Sequence, residues 1–163
     1  MNGICFGVLH QMVPYVRMTR TGKFYLPRPK RYLESQRQLK EKFQDIVQYE
    51  YDHEERKLFP HTIRTRIGKG KDKHYVETEI LLPIPASTPF DVEINFYYHP
   101  DKKPLHYCDL DNLIKAVMDA GNKVIFGDDR WCDGIVANRI QLDEPKSDNK
   151  DEVFVEVEFT WLS

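Results

Sequence analysis

Four aspartates bracket one short segment of this chain. Asp109 and Asp111 open the stretch DLDNLIKAVMDAGNKVIFGDD, and Asp128 and Asp129 close it. Carboxylates held close together repel, and one takes up a proton unless a cation intervenes. A hard divalent ion answers that need. Mg2+ typically takes one or two protein carboxylates and leaves its other positions to water and phosphate oxygen. If the turn at Gly127 returns one of the later acids beside the first pair, three acids surround one or two metal ions. Such a set supports in-line attack of water on a phosphodiester. Lys115, one helical turn beyond Asp111, would meet a scissile phosphate or its leaving oxygen as a cation.

The elements that must position these groups follow from the same stretch. Leu110, Leu113, Ile114 and Val117 recur at helical spacing and predict a buried stripe. Asp111, Lys115 and Asp119 then share the polar side at i, i+4 and i+8. Residues two apart point in nearly opposite directions in a helix and in the same direction in an extended chain. Asp109 and Asp111 therefore share one target only if the helix begins at or just after Asp111. Backbone N–H groups and a positive dipole end collect at such a junction. Simpler uses exist for each acid. Asp111 could be an N-cap, although Ile114 stands where a capping box would have Glu or Gln. Asp128 and Asp129 could be turn residues, and Lys115 could join a surface ladder of little energy with Asp111 and Asp119. For Asp119 and Asp128 the simpler use is preferred. For Asp109, Asp111 and Asp129 together, the pattern favours a metal site.

The rest of the chain reads as an α+β domain. GICFGVLHQM suggests a first strand from Ile4 to Gln11. VPYVRMTRTGKFYLPRPK is an irregular stretch in which Arg17, Arg20, Lys23, Arg28 and Lys30 interleave with aromatic residues. That mixture suits a nucleic-acid backbone and unstacked bases, or an ordinary loop pinned by its aromatics. From Lys30 to Gln48, Tyr32, Leu39, Phe43, Ile46 and Val47 predict one amphipathic helix. Residues 49–61 are polar and read as a loop. HTIRTRIG and KHYVETEILLP then form a hairpin about a charged, Gly-containing tip. FDVEINFYYH alternates as a strand, the helix carrying Asp111 follows, and CDGIVANRIQLD and EVFVEVEFTWLS complete the order as two more strands. The expected architecture is a mixed or antiparallel sheet with two main helices on one face. It forms one domain over 1–163, with a hairpin insertion at about 49–87.

Bulk properties narrow the classes. No apolar run approaches the ~20 residues that span a bilayer, and the first residues lack the basic start of a signal peptide, so the expected location is cytoplasmic. Cys5, Cys108 and Cys132 are odd in number and widely spaced, which argues against a disulfide framework, and no CxxC pair suggests zinc. All three read as small hydrophobes, although Cys108 and Cys132 flank the acidic segment. The net charge of −2 hides an asymmetry. Residues 1–47 hold nine Lys/Arg against three Asp/Glu, a net +6, and the remainder holds fifteen against twenty-three, a net −8. A basic surface for phosphates beside an acidic site for a cation has this distribution.

DLDNLIKAVMDAGNKVIFGDD resembles the signature of the RusA family of Holliday junction resolvases: Asp-x-Asp-Asn-Leu-x-Lys, a helix ending in Asp-Ala, then Asp-Asp. The likeness extends more loosely to Phe90–Pro100, to the two C-terminal strands, and to RTGKFYLPRPKRYLESQ near the N-terminus. The resemblance implies a homodimeric, Mg2+-dependent endonuclease, with Mn2+ as a substitute ion. It would nick four-way DNA junctions symmetrically, in a bacterial or phage setting. It assigns catalytic metal-binding roles to Asp109, Asp111 and Asp129, makes Asp128 their neighbour, and puts Lys115 on the family's functional lysine. Asn112 also matches. Phosphate contacts are expected from Arg17, Arg20, Lys23, Arg28, Lys30 and Arg31, with Lys102 and Lys103 where the family carries a basic run just before the first aspartate. Here that run reads KKPLHYC, with the lysines displaced. A two-fold junction cut twice suits a C2 dimer with two sites. Two other readings share these residues: a metal-dependent nuclease of broader branched-DNA specificity, and a junction-binding protein that does not cleave. A pure binder has no use for carboxylates that repel DNA. In a fourth reading, a small binding module whose acids only cap and turn, no metal-dependent stabilisation is expected.

Overall fold

The structure, a computed structural model, describes residues 1–12, 20–21, 24–25, 30–54, 57–99, 109–144 and 153–162, with the backbone alone at 20–21, 24–25 and 54. In chain order the elements are β1 (Asn2–His10), β2 (Arg20–Thr21), β3 (Phe24–Tyr25), α1 (Lys30–Glu54), β4 (Phe59–Ile67), β5 (His74–Leu82), β6 (Phe90–Tyr98), α2 (Leu110–Gly121), β7 (Cys132–Gln141) and β8 (Val153–Trp161).

Alternation along the strands builds one wall of the core. Ile4, Phe6 and Val8 of β1, Val92, Ile94 and Phe96 of β6, and Val153, Val155, Val157, Phe159 and Trp161 of β8 are all buried. Their strands pair in the order β1-β8-β6-β7. β8 lies antiparallel to both β1 and β6, whereas β7 runs parallel to β6. A parallel neighbour needs a crossover connection, and α2 supplies it. The sheet is therefore mixed, as the α+β expectation allowed.

The helices cover the apolar wall. α1 turns Tyr32, Leu39 and Phe43 inward, with Ile46 and Val47 packed at the margin. α2 buries Leu113, Ala116, Val117, Met118 and Ala120. Phe90, Phe126 and Phe159 meet beneath the end of α2, with Phe90 and Phe126 stacked at 4.8 Å. Truncating a fully buried residue such as Leu113 to Ala costs about 2–5 kcal/mol. His10 enters this interior on hydrogen bonds: the Ser35 hydroxyl donates to the Gln11 carbonyl at 3.1 Å, so it accepts from His10 Nε2 at 2.9 Å.

Several elements differ from the sequence reading, β4 among them, which begins at Phe59 within residues read as loop. β1 spans Asn2–His10, not Ile4–Gln11. α1 runs on to Glu54, through residues read as loop. Local pairs hold this polar end: Gln48 donates to Asp52, and the Tyr49 and His53 rings stack at 4.1 Å, both at i,i+4. The stretch before α1 holds a two-residue ladder, β2 against β3. The expected hairpin is present as β4 and β5, which among the described strands pair only with each other. No described helix is long and apolar enough to cross a membrane.

Candidate active site

The acidic segment begins in extended backbone. Asp109 has φ −65° and ψ 141° and occupies the N-cap of α2, yet its side chain makes no capping hydrogen bond. Its carbonyl receives the N–H groups of Asn112 and Leu113 instead. The Asp109 carboxylate is thus not spent on the helix. Asp111 lies one position inside the helix, exposed in the first turn. The helix starts a residue earlier than the shared-target condition required. Asp111 is consequently not the N-cap either.

α2 ends in a tight return. Asn122 and Ile125 donate back to the last turn, and Lys123, at φ 62°, donates its N–H to Phe126. Val124, Ile125 and Phe126 are buried, so the return is pinned to the core before Gly127 releases it to the surface. Asp128 then caps a 3-10 turn at Asp129–Trp131. Its carboxylate accepts from the Arg130 N–H at 3.0 Å and lies 3.3 Å from the guanidinium Nε. This is the turn role preferred for Asp128 from the sequence. Cys132 follows, and burial pushes its thiol up to about 11. The thiol donates to the Gly134 carbonyl at 3.4 Å.

Lys115 links the body of α2 to the turn that follows it. Its ammonium lies 2.8 Å from Asp119 Oδ1 and 3.7 Å from Asp129 Oδ2. The other Asp119 oxygen receives the Tyr32 hydroxyl at 3.2 Å. α1 therefore braces Asp119, Asp119 holds Lys115, and Lys115 reaches Asp129. The sequence reading left Asp119 as an unremarkable surface acid. The missing signal was Tyr32, eighty-seven positions away, which no spacing rule connects to it.

The acids do not form a closed three-carboxylate cluster. Among the described residues, no group of three or more His, Cys, Asp or Glu side chains stands close enough to hold a metal ion. What the fold brings together is Asp129, Lys115 and Asp119, with Asp109 and Asp111 at the start of the same helix. The donor chemistry still fits a hard divalent ion, because every acid offers oxygen and Mg2+ commonly takes only one or two carboxylates. Of the expected phosphate contacts, Lys30 and Arg31 are exposed in the first turn of α1. Arg20 is described by its backbone alone, in β2. Arg17, Lys23, Arg28, Lys102, Lys103 and Cys108 lie outside the described residues.

No curated protein matches the chain. A sequence model of the family described as Endodeoxyribonuclease RusA matches residues 14–158, which takes in both helices, the acidic segment, β6, β7 and the first part of β8. Members of that family generally depend on a divalent metal. With α2 and its acids inside a match over most of its length, the chain belongs to the RusA endodeoxyribonuclease family, nucleases that act on Holliday junctions.

Proposed function

We propose that this protein resolves four-way DNA junctions by paired, symmetric, Mg2+-dependent nicks, acting as a homodimer with one site in each subunit. The observation that carries the reading is the Lys115 bridge, which ties Asp129 to the acidic face of α2. Asp109, Asp111 and Asp129 would hold the ion, with Asp128 beside them. When bound, a divalent ion activates water and neutralises the phosphoryl oxygens. Lys115 supplies a fixed positive charge at the edge of the site. There it stabilises charge that develops as water adds to phosphorus and the strand's P–O bond breaks. Asp119 is a positioning residue, because it holds Lys115 and is itself held by Tyr32. Lys30 and Arg31, with the basic stretch before them, bind phosphates in a salt-dependent way.

The test is a labelled synthetic four-way junction incubated with Mg2+ or with EDTA, beside Asp111→Asn. Symmetric nicks that need Mg2+ and vanish in the variant are expected. Junction binding by both proteins without a cut, in Mg2+ and in Mn2+, overturns the enzymatic reading. Equal cutting of linear duplex makes the protein a nuclease of broader specificity. Light scattering of the free protein checks the dimer.

A further inference from the structure

The β4–β5 ribbon stands apart from the four-stranded sheet, yet its base is fastened to the acidic turn. His61 of β4, only 8% exposed, donates from Nε2 to the Ile84 carbonyl at 2.7 Å. The Ile84 N–H donates in turn to the Ile125 carbonyl at 3.1 Å. The far side of the imidazole lies against Gly127, where an added Cβ would stand 2.6 Å from Nδ1. The insertion therefore docks on the loop that delivers Asp128 and Asp129.

Between ribbon and loop lies a cleft of about 340 Å³. Arg64 lines it from the ribbon, and Lys123, Asp128, Arg130 and Trp131 line it from the loop. Three cations against one acid leave it net positive. Asp128 is already engaged by Arg130, whose guanidinium also lies 5.6 Å from the centre of the Trp131 ring. Arg64 sits over the Tyr75 ring at 4.9 Å and meets Glu77 only at 3.7 Å, in an exposed pair of little strength. Beyond the cleft the positive track continues along the arm. From residue 64 to 73 every position is exposed, and this stretch holds Arg64, Arg66, Lys69, Lys71 and Lys73 against one acid of its own, Asp72, with Glu77 across the ribbon from Arg64. Cations for phosphates beside an aromatic face for a base are the chemistry of a nucleic-acid strand. The volume lies at the low end of small-ligand sites, about 300–1,000 Å³, so it suits a nucleotide of one strand and not a duplex.

We propose that this cleft takes a nucleotide of the cut strand next to the scissile phosphate. Arg64 and Lys123 hold its phosphate, Trp131 stacks on its base, and the arm's basic tip follows the backbone onward. The proposal rests on the nuclease reading of the neighbouring acids.

The test is a titration of the whole protein with the single-stranded oligonucleotide dT4 in EDTA, followed by tryptophan fluorescence at several salt concentrations. The expected result is quenching that disappears in Trp131→Phe. Arg64→Ala and Lys123→Asn should each weaken binding about tenfold and reduce the salt slope by about 0.7. Asn tolerates the left-handed backbone at 123, so one variant remains informative if Arg64→Ala disturbs the ribbon. On a junction with Mg2+, Arg64→Ala should raise KM and leave kcat unchanged. No quenching by dT4, or wild-type affinity in both variants, overturns the proposal. Because the titration is free of metal, the two readings fail separately. Cutting with unaltered dT4 binding removes the cleft alone. Salt-dependent dT4 binding by a protein that cuts nothing removes the nuclease reading, and with it the assignment to a cut strand.

Discussion

Two regions of this molecule are rich in carboxylates, and they differ in the charges set among them. On the open face of the sheet Asp91 and Glu93 of β6 share rows with Thr160 and Glu158 of β8. Glu93 and Glu158 stand directly opposite each other. These acids meet neutral partners: Asn95 donates to Glu93 and Glu156, and Tyr97 donates to Glu156. Their combined field shows in nearby groups. Cys5 is held above its ordinary thiol value by burial first and then by Glu158, Glu156 and Glu93. Tyr97 is raised by desolvation and by Glu156. Along α2 and in the turn after it, Asp119, Asp129 and Asp128 instead lie around Lys115 and Arg130. An acidic count does not make a site. What sets the α2 region apart is the cations lying among its carboxylates at backbone irregularities.

Neutralising one carboxylate in each region gives the sharpest contrast. Asp129→Asn should remove several kcal/mol of transition-state stabilisation, about 1,000-fold or more in junction cleavage. Glu158→Gln should leave cleavage unchanged. Equal loss in both, measured by single-turnover nicking, would erase the distinction. Next in size, Lys115→Ala should lower kcat about 100- to 1,000-fold with little change in junction affinity, if the proposed role at the reacting phosphate holds. A loss confined to KM would make Lys115 a binding group only. On stability the order reverses. Glu158→Gln relieves a directly opposed like-charge pair and should raise unfolding free energy by about 0.2–1 kcal/mol in urea titration. The smallest effect concerns Cys5. Its raised pKa leaves less thiolate than a free cysteine has, so iodoacetamide should label it more slowly at pH 8. Glu158→Gln should narrow the gap, as peptide mapping would measure. The sign also fixes a pH trend. The stability linked to this thiol is present below its unfolded pKa and fades as pH rises through the folded one.

Much of this arrangement was legible in the sequence, for physical reasons that differ by element. Period-two alternation in β6 and β8 and the 3.6-residue stripe of α2 are written directly in residue order, because one face of each is buried. The acids were legible as a set because their spacing brackets one helix. The end of α1 was not, since Tyr49, Asp52 and His53 carry no apolar stripe and hold the helix by local pairing. Nor was the single-residue offset that starts α2 at Leu110, one residue ahead of Asp111. The bracing of Lys115 by Asp119 and Tyr32, and the seating of His61 on Gly127, are tertiary contacts between distant segments.

The independence of the β4–β5 ribbon bears on how such a protein changes over generations. Because the ribbon shares no ladder with the other strands, residues added or lost in step between Ile67 and His74 shift no register in the four-stranded sheet. The entropic penalty of a longer tip grows only logarithmically, about 0.6 kcal/mol per doubling. Arm length is therefore a parameter that drift and selection can explore cheaply. Its root, where the imidazole of His61 needs a glycine beneath it, is the point that lineages must keep if the arm is to face the same way.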